Sequence, residues 1–369
     1  MPNFILAIDT SCDDTSASVV SGRSVFSNVV ASQTELHKKF GGVFPTVAKQ
    51  AHRENIEPVI ALALKRAGIT ASEVAAVAVT QGPGLAPALE VGIEHAKKIA
   101  VANHVPLIPI NHVEGHVLSV LAKPKPKLGG TRHMLRNHTT DSEVKLPALS
   151  VIVSGGHTEF ILVRKVGEYE RIGWTVDDAA GEALDKFGRM VDLGYPAGPL
   201  VEQFAKQGNC SAFRFPLPMT TTDNYLMSFS GLKTAARKKV EELTATAPLK
   251  TQQIYDLCAS FQYSVFHAIT YKLNKYLSSL KSKSLELQLF GVWLGGGVAA
   301  NVTLRRMLRE TIKPYGLELR VPYSKKLCSD NGAMIGVAAF GKFDHQEFKS
   351  VDDIGDVERI PRWEIGKAH

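Results

Sequence analysis

Two histidines four residues apart, His112 and His116, raise the question of chemistry first. On a helix, positions i and i+4 share a face, and two imidazoles so placed can bind one metal ion. The spacing alone also suits histidines that merely pack in a core or lie on a surface. A third donor is available in Asp330, expected at the start of the last helix with Ser329 or Asp330 as its N-cap. There the helix N–H groups favour a carboxylate. Two nitrogens and one oxygen leave coordination positions open, which suits Fe(II) or Zn(II) acting on a bound ligand. The stretch reads His-Val-Glu-Gly-His, so the glutamate that follows the first histidine of a zinc-peptidase helix is absent. Glu114 is expected to project away from the histidine face.

Three turns suggest a second kind of chemistry. Val153-Ser154-Gly155-Gly156-His157 joins two apolar stretches, and Leu294-Gly295-Gly296-Gly297 joins a strand to a helix. Glycine lets backbone N–H groups approach a phosphate, and a helix start favours an anion. With the first turn, Asp9-Thr10-Ser11-Cys12-Asp13, they form a set of the kind with which actin-like and sugar-kinase-like folds hold a nucleotide. Asp177, Asp178, Glu182 and Asp185 flank Ala179-Ala180-Gly181. Asp178 is expected to cap the helix that follows. Asp185 could accept hydrogen bonds from a ribose, or simply be an exposed helical acid. Lys38-Lys39, the Lys233/Arg237/Lys238/Lys239 cluster and the Arg305/Arg306/Arg309 cluster could neutralise phosphates, although most such runs are solvated helix faces.

The elements that must carry these residues come in two similar series. Strands are expected over 4–11, 16–21 and 25–31, a helix over 46–67 stopped by Gly68, and a buried strand over 74–80. A helix over 86–103 and a strand over 107–110 lead into the His112 helix. The rhythm then breaks at Lys123–Lys145, which holds Lys-Pro-Lys-Pro-Lys, a Gly-Gly pair, His133 and His138, and reads as an inserted loop. A meander follows over 149–176, with helices over 181–193, 198–207, 231–242 and 254–280. A strand over 287–294, a helix over 298–312, a strand over 317–321 and a helix over 329–340 complete the chain. Antiparallel strands around a polar turn, then helices and a buried strand, thus occur twice. This duplication predicts two related α/β lobes with a ligand cleft between them. The first lobe is expected over 1–113, completed by the helix near 325–345, and the second over 114–324 with 123–145 inserted. Residues 346–369 read as a tail.

Composition narrows the class. The chain has 369 residues, 44% hydrophobic and 21% charged, which fits a globular protein of more than one core. No apolar run approaches the length of a membrane span. The start, Met1-Pro2-Asn3 followed by an apolar run broken at Asp9, does not resemble a signal peptide or presequence. Four scattered cysteines without a CxxC pair fit a reducing cytoplasm and not a structural zinc knot. A net charge of +7 permits a nucleic-acid partner without requiring one.

Taken in order, the motifs resemble those of the tRNA N6-adenosine threonylcarbamoyltransferases, the TsaD family, once labelled O-sialoglycoprotein endopeptidases. The resemblance runs from about Phe4 to Phe340. It is carried by Asp9-Thr-Ser-Cys-Asp-Asp-Thr15, Gly41-Gly42, Gln81-Gly-Pro-Gly-Leu85 and His112-Val-Glu-Gly-His116. Further matches are Val153-Ser-Gly-Gly-His-Thr158, Asp177-Asp-Ala-Ala-Gly-Glu-Ala-Leu-Asp185 and Tyr195-Pro-Ala-Gly198. The set ends with Phe229-Ser-Gly-Leu-Lys-Thr234, Gly295-Gly-Gly-Val-Ala-Ala-Asn301 and Ser329-Asp-Asn-Gly-Ala-Met-Ile335. Asp9 stands where bacterial members usually carry Glu, Ala197 where Gly is common and Ala299 where Ser is common.

The resemblance implies an actin/Hsp70/sugar-kinase-like fold. It implies transfer of threonylcarbamoyl from threonylcarbamoyl-AMP to N6 of adenosine 37 in tRNAs reading A-starting codons. It further implies one divalent metal, Fe(II) or Zn(II), on His112, His116 and Asp330. The adenylate would lie along Ile152, Val153, Ser154, Gly155, Gly156, Asp185, Gly198 and Asn301. The first turn, Ser11 to Asp14, would lie over the acyl-phosphate end, with Asp13 or Asp14 as the candidate base. The Cys12-containing first turn and His157 resemble the bacterial and mitochondrial branch, and with no presequence expected this implies a bacterial cytoplasmic enzyme working on tRNA with a TsaB-like paralogue and a TsaE-like ATPase, or as a homodimer. Competing readings are a metallopeptidase, the older label, and an inert nucleotide-binding scaffold, which would lack the metal ligands.

Overall fold

Strand β1 (Phe4–Asp9) is buried on both faces, with Ile5, Leu6, Ala7 and Ile8 all fully covered, so elements must pack on either side of it. The computed structural model describes residues 3–126, 144–282 and 287–367. They fall into two compact units, Met1–Lys145 with Lys165–Tyr169 and Pro322–His369, and Leu146–Arg164 with Glu170–Val321.

In the first unit, β1 is followed by β2 (Asp14–Ser21), β3 (Ser24–Ser32), α1 (Thr34–Lys38), α2 (Pro45–Ala67) and β4 (Val74–Gly82). Then come α3 (Ala86–Ala102), β5 (Leu107–Asn111), α4 (His112–Leu118) and the short β6 (Lys123–Pro124). The six-stranded sheet has the order β5-β4-β1-β2-β3-β6. β1, β2 and β3 are antiparallel, and β4 and β5 run parallel beside β1. Gly68 ends α2 in the left-handed region at φ 80°, its N–H donating to Leu64 O and Lys65 O, as the sequence suggested.

The second unit holds β7 (Ala148–Val153), β8 (Thr158–Lys165), β9 (Glu168–Trp174) and the helices α5 (Ala180–Met190), α6 (Gly198–Ala205), α7 (Ser230–Thr244) and α8 (Thr251–Ser282). They are followed by β10 (Val292–Gly295), α9 (Val302–Ile312) and β11 (Leu319–Arg320). Its sheet has the order β11-β10-β7-β8-β9, with β7 antiparallel to β8 and parallel to β10. This is the wiring of β5-β4-β1-β2-β3, so the duplication read from the sequence is present strand for strand. The last helix, α10 (Gly332–Asp344), belongs to the first unit and lies directly on its sheet. A Cβ at Gly332 would stand 2.8 Å from Ala7 O and from Ser18 N, so only glycine permits this approach.

Several expected boundaries shift. Among the described residues the first unit runs beyond 113 through α4 and β6, because α4 is buried along its whole length and packs on α10. Lys123 and Pro124 pair with Ser24 and Val25 instead of starting a loop. The rest of the proposed insertion, 127–143 with His133 and His138, lies outside the described residues. Residues 346–367 are no loose tail, since Lys349 exchanges hydrogen bonds with Leu107 and the Ile360 N–H donates to Gln81 O. The helix expected from Val298 is a 3-10 turn (Gly297–Ala300) followed by α9, with Asn301 as N-cap between them.

Candidate active site

Asn111 starts the helix that carries His112 and His116. Its Oδ1 accepts from the N–H groups of Val113 (2.9 Å) and Glu114 (3.2 Å), a side-chain N-cap that fixes the first turn of α4. His112 and His116 therefore project together, with rings 4.7 Å apart and 82° inclined. Asp330 Oδ1 stands 3.1 Å from His116 Nε2 and 3.6 Å from His112 Nε2. One donor atom from each residue lies within 4.8 Å of the others. Two imidazole nitrogens and a carboxylate oxygen at this separation fit a divalent metal with open positions. Without a metal, a proton serves the same carboxylates. Burial alone would lower the His112 pKa, but Asp330 and Asp9 outweigh it and raise it to about 9.

Asp330 holds this place because it is not the helix cap. The N-cap of α10 is Asn331, whose Oδ1 accepts from Met334 N at 3.1 Å. This corrects the expectation of Ser329 or Asp330 as cap, and leaves the Asp330 carboxylate to face the histidines.

The first turn is held from several sides. Asp9 Oδ1 accepts from Ser11 N (3.2 Å) and Thr80 Oγ1 (2.7 Å) and lies 3.7 Å from His112 Nδ1. His52 joins Thr15 Oγ1 (2.8 Å) and the Cys12 carbonyl (3.0 Å). Among the described residues, the buried Ser11 Oγ and Asp14 Oδ1 have no hydrogen-bond partner. Burial raises the pKa of Asp13, helped by the Asp330 charge. Burial likewise raises that of Asp14 to about 7; a hydrogen bond from Ser32 opposes it, and the charges of Asp13, Asp330 and Asp9 add to it.

In the second unit, the β7–β8 turn is closed by Ser154 N donating to His157 O (2.7 Å) and His157 N donating to Ser154 Oγ (3.0 Å). A Cβ on Gly155 or Gly156 would meet none of the described residues within 4 Å, so this turn is open on that side among them. Ile152 and Val153 have fully buried side chains, and only their main chain could meet a ligand. Asp185 Oδ1 accepts from Ala197 N (2.8 Å) and Gly198 N (2.7 Å), which ties α5 to the start of α6. Asn301 Oδ1 accepts from Thr303 N and Leu304 N, and its Nδ2 donates to Gln262. Asp178 does not cap α5, whose N-cap is Ala179; it pairs with Lys186 (2.7 Å) and Lys233. Lys233 is thereby committed to an ion pair. Asp177, offset by burial but dominated by hydrogen bonds from Phe229, Ser228 and Ser230, is held below the usual carboxylate range and anchors the start of α7.

The sequence places Asp9 in the first turn but gives no sign of its approach to His112, and His52 and Asn111 are not among the candidates for the site. Only Asn111 left a readable signal, an Asn immediately before an apolar helical run.

A family model described as TsaD, tRNA N6-adenosine threonylcarbamoyltransferase, matches residues 24–129 and 130–337. Curated enzymes of that name resemble the chain almost end to end. The one from Geotalea uraniireducens is 39% identical over 98% of this chain and 96% of its own. The one from Thermosynechococcus vestitus is 44% identical over 94% and 92%. The chain belongs to the TsaD family. It is accordingly a transferase that moves threonylcarbamoyl onto N6 of a tRNA adenosine. Solved structures add the fold. The phosphate- and nucleotide-bound form of full-length HypF matches with a TM-score of 0.55 at 13% identity, over 93% of this chain and 56% of that one. Component A of the Acidaminococcus fermentans (R)-2-hydroxyglutaryl-CoA dehydratase matches with a TM-score of 0.50 at 14% identity, over 92% and 98%. With the duplicated sheets, these place the TsaD-family chain in the actin/Hsp70/sugar-kinase-like fold. The Glu114 carboxylate is taken up by partners other than the two histidines. It accepts from Tyr169 OH (2.9 Å) and pairs with Lys342 (3.3 Å). No helix among the described residues is long and apolar enough to cross a membrane.

Proposed function

We propose that the donor is threonylcarbamoyl-AMP, that the acceptor is adenosine 37 of tRNAs reading A-starting codons, and that His112, His116 and Asp330 hold one Fe(II) or Zn(II). The observation that carries the metal reading is the approach of Asp330 to both histidines. Such a metal supplies a Lewis acid for acyl or phosphate oxygens. The open Gly155-Gly156 turn supports a phosphate or nucleoside contact through backbone N–H groups, with Ile152, Val153, Ser154, Asp185, Gly198 and Asn301 shaping the site around it. Asp185 and Asn301 act chiefly as braces, because their side chains already hold backbone N–H groups.

At the acyl end we assign Ser11, Asp13 and Asp14. A carboxylate with its pKa near 7 is suited to accept the proton that leaves the adenosine amine, which supports Asp14 over Asp13. The amine is a weak nucleophile, so positioning supplies much of the rate.

The reaction is assigned to the cytoplasm. The working assembly is assigned to a TsaB-like paralogue and a TsaE-like ATPase, with a homodimer as the alternative. Exposed Leu36, Phe40 and Phe44, with the two phenyl rings stacked at 5.3 Å, support a protein partner on this face. The test is reconstitution with those partners, threonine, bicarbonate, ATP and unmodified tRNA, read by mass spectrometry. Threonylcarbamoyladenosine that depends on the metal is expected. Its absence with all components present, or metal-dependent peptide cleavage instead, would overturn the assignment.

A further inference from the structure

The segment Glu358 to Trp363 crosses the Gln81–Gly84 loop, which lies against the first turn, and ends beside Asn111 at the start of α4. Gln81 Nε2 donates to Glu358 O (2.6 Å), Ile360 N donates to Gln81 O (2.8 Å) and Gly84 N donates to Pro361 O (3.2 Å). The approach is close enough that a Cβ on Gly82 would stand 1.9 Å from Ile360 O. Gly84 in turn lies against the first turn. A Cβ there would be 2.5 Å from Ser11 O, and Leu85 N donates to that same carbonyl at 2.8 Å.

The segment ends on Asn111. The Trp363 carbonyl accepts from Asn111 Nδ2 (3.2 Å), while Asn111 Oδ1 caps α4. A carbonyl can only accept, so it selects the amide orientation that turns Oδ1 to the helix. The flipped amide would set oxygen against oxygen at Trp363 and N–H against N–H at α4. Trp363 is itself fixed, with Nε1 donating to Lys367 O and the Lys342 ammonium 5.6 Å from its ring centroid.

We propose that Glu358–Trp363 is a positioning strap that sets the first turn of α4, and through it the mutual placement of His112 and His116 for their metal. The proposal rests on the metal reading of those residues. Partners that orient metal ligands typically change affinity by about 10–100-fold when removed.

The test uses two full-length variants and Co(II) as the probe. Asn111→Ser keeps a side-chain cap but loses the bond to Trp363. Gly82→Ala leaves Asn111 intact and displaces Ile360. Both are expected to fold cooperatively and to bind Co(II) about 10–100-fold more weakly with shifted visible bands. Their Val113 and Glu114 amides are expected to exchange hydrogen faster than in the parent. Parental Co(II) affinity, spectrum and exchange in the variants would overturn the strap, and so would loss of cooperative folding in both, since that is a purely structural role. If Asn111→Ser alone fails to fold, Gly82→Ala decides. If the parent binds no Co(II), the metal reading fails, and amide exchange at Val113 and Glu114 alone decides the strap.

Discussion

Asp330 Oδ1 lies 3.1 Å from Nε2 of the fully buried His116, and Asn331, not Asp330, carries the cap of the helix that follows. One residue holds the helix and its neighbour is left to face the two histidines. Asp330→Ala should therefore leave the α10 cap intact while removing the oxygen donor. Loss of the metal's charge stabilisation is worth several kcal/mol, or upwards of about 100-fold in turnover. Metal content and threonylcarbamoyl transfer should fall together with the circular dichroism spectrum unchanged. A variant that keeps both metal and turnover would remove Asp330 from the ligand set.

A metal held by His112 would have to displace a proton from it. Its pKa in the metal-free fold is raised to about 9, with burial opposing the carboxylates of Asp330 and Asp9. The raised value means that the protonated histidine stabilises the metal-free fold fully below its unfolded pKa, and that this stabilisation is lost as pH rises toward about 9. Metal affinity should run the other way, rising about tenfold per pH unit over the same window as one proton is displaced. Zn(II) titrations against a chelator between neutral pH and pH about 9 check this. A flat profile would show that no proton leaves His112 on binding.

The parts of the site that were legible in the sequence are those set by local rules. The i, i+4 spacing of His112 and His116 gave one helix face, and Gly155-Gly156 gave a turn between strands. The duplicated strand pattern gave two sheets of the same wiring. What was not legible depends on long-range approach. Asp9 meets Thr80 and His112 only because β1 and β4 pair in parallel and β5 delivers α4 beside them. The cap at Asn331 was misread because Ser329, Asp330 and Asn331 are all good N-caps, and only packing on the sheet decides among them. Residues 346–367 looked like a tail because their hold on the first unit runs largely through main-chain groups, which composition does not reveal.

Asp14 stands at the start of β2 with one buried oxygen that has no hydrogen-bond partner among the described residues, and its pKa is raised to about 7 chiefly by burial. The neutral acid is the form the fold prefers. Its contribution is thus present below the ordinary carboxylate pKa and is lost as pH rises through about 7. Asp14→Asn, which cannot ionise, should flatten that part of the profile and melt higher than the parent above neutral pH. It should also slow transfer if Asp14 takes the proton, by about 10²–10⁴-fold for a general base. Melting curves at acidic and alkaline pH separate the two effects. A variant with parental turnover would exclude Asp14 as the base, whatever its stability.

Two glycines on neighbouring turns should respond oppositely to substitution. Gly155 is exposed, has no described residue within 4 Å of a Cβ and does not require a left-handed conformation. Gly296 is buried at φ 90°, and a Cβ there would stand 2.3 Å from Val153 O. Gly296→Ala meets both strain and a backbone clash and should cost more than about 2 kcal/mol. Gly155→Val should change stability by no more than about 0.5 kcal/mol, as at an ordinary surface site. If the adenylate lies against this turn, the added side chain overpacks the bound state by about 1–3 kcal/mol, and kcat/KM for transfer drops roughly 10–100-fold. Denaturant melts paired with transfer kinetics check both arms. Parental kinetics in Gly155→Val would move the adenylate away from the β7–β8 turn, and a parental melt in Gly296→Ala would show that β10 and β7 can part without loss.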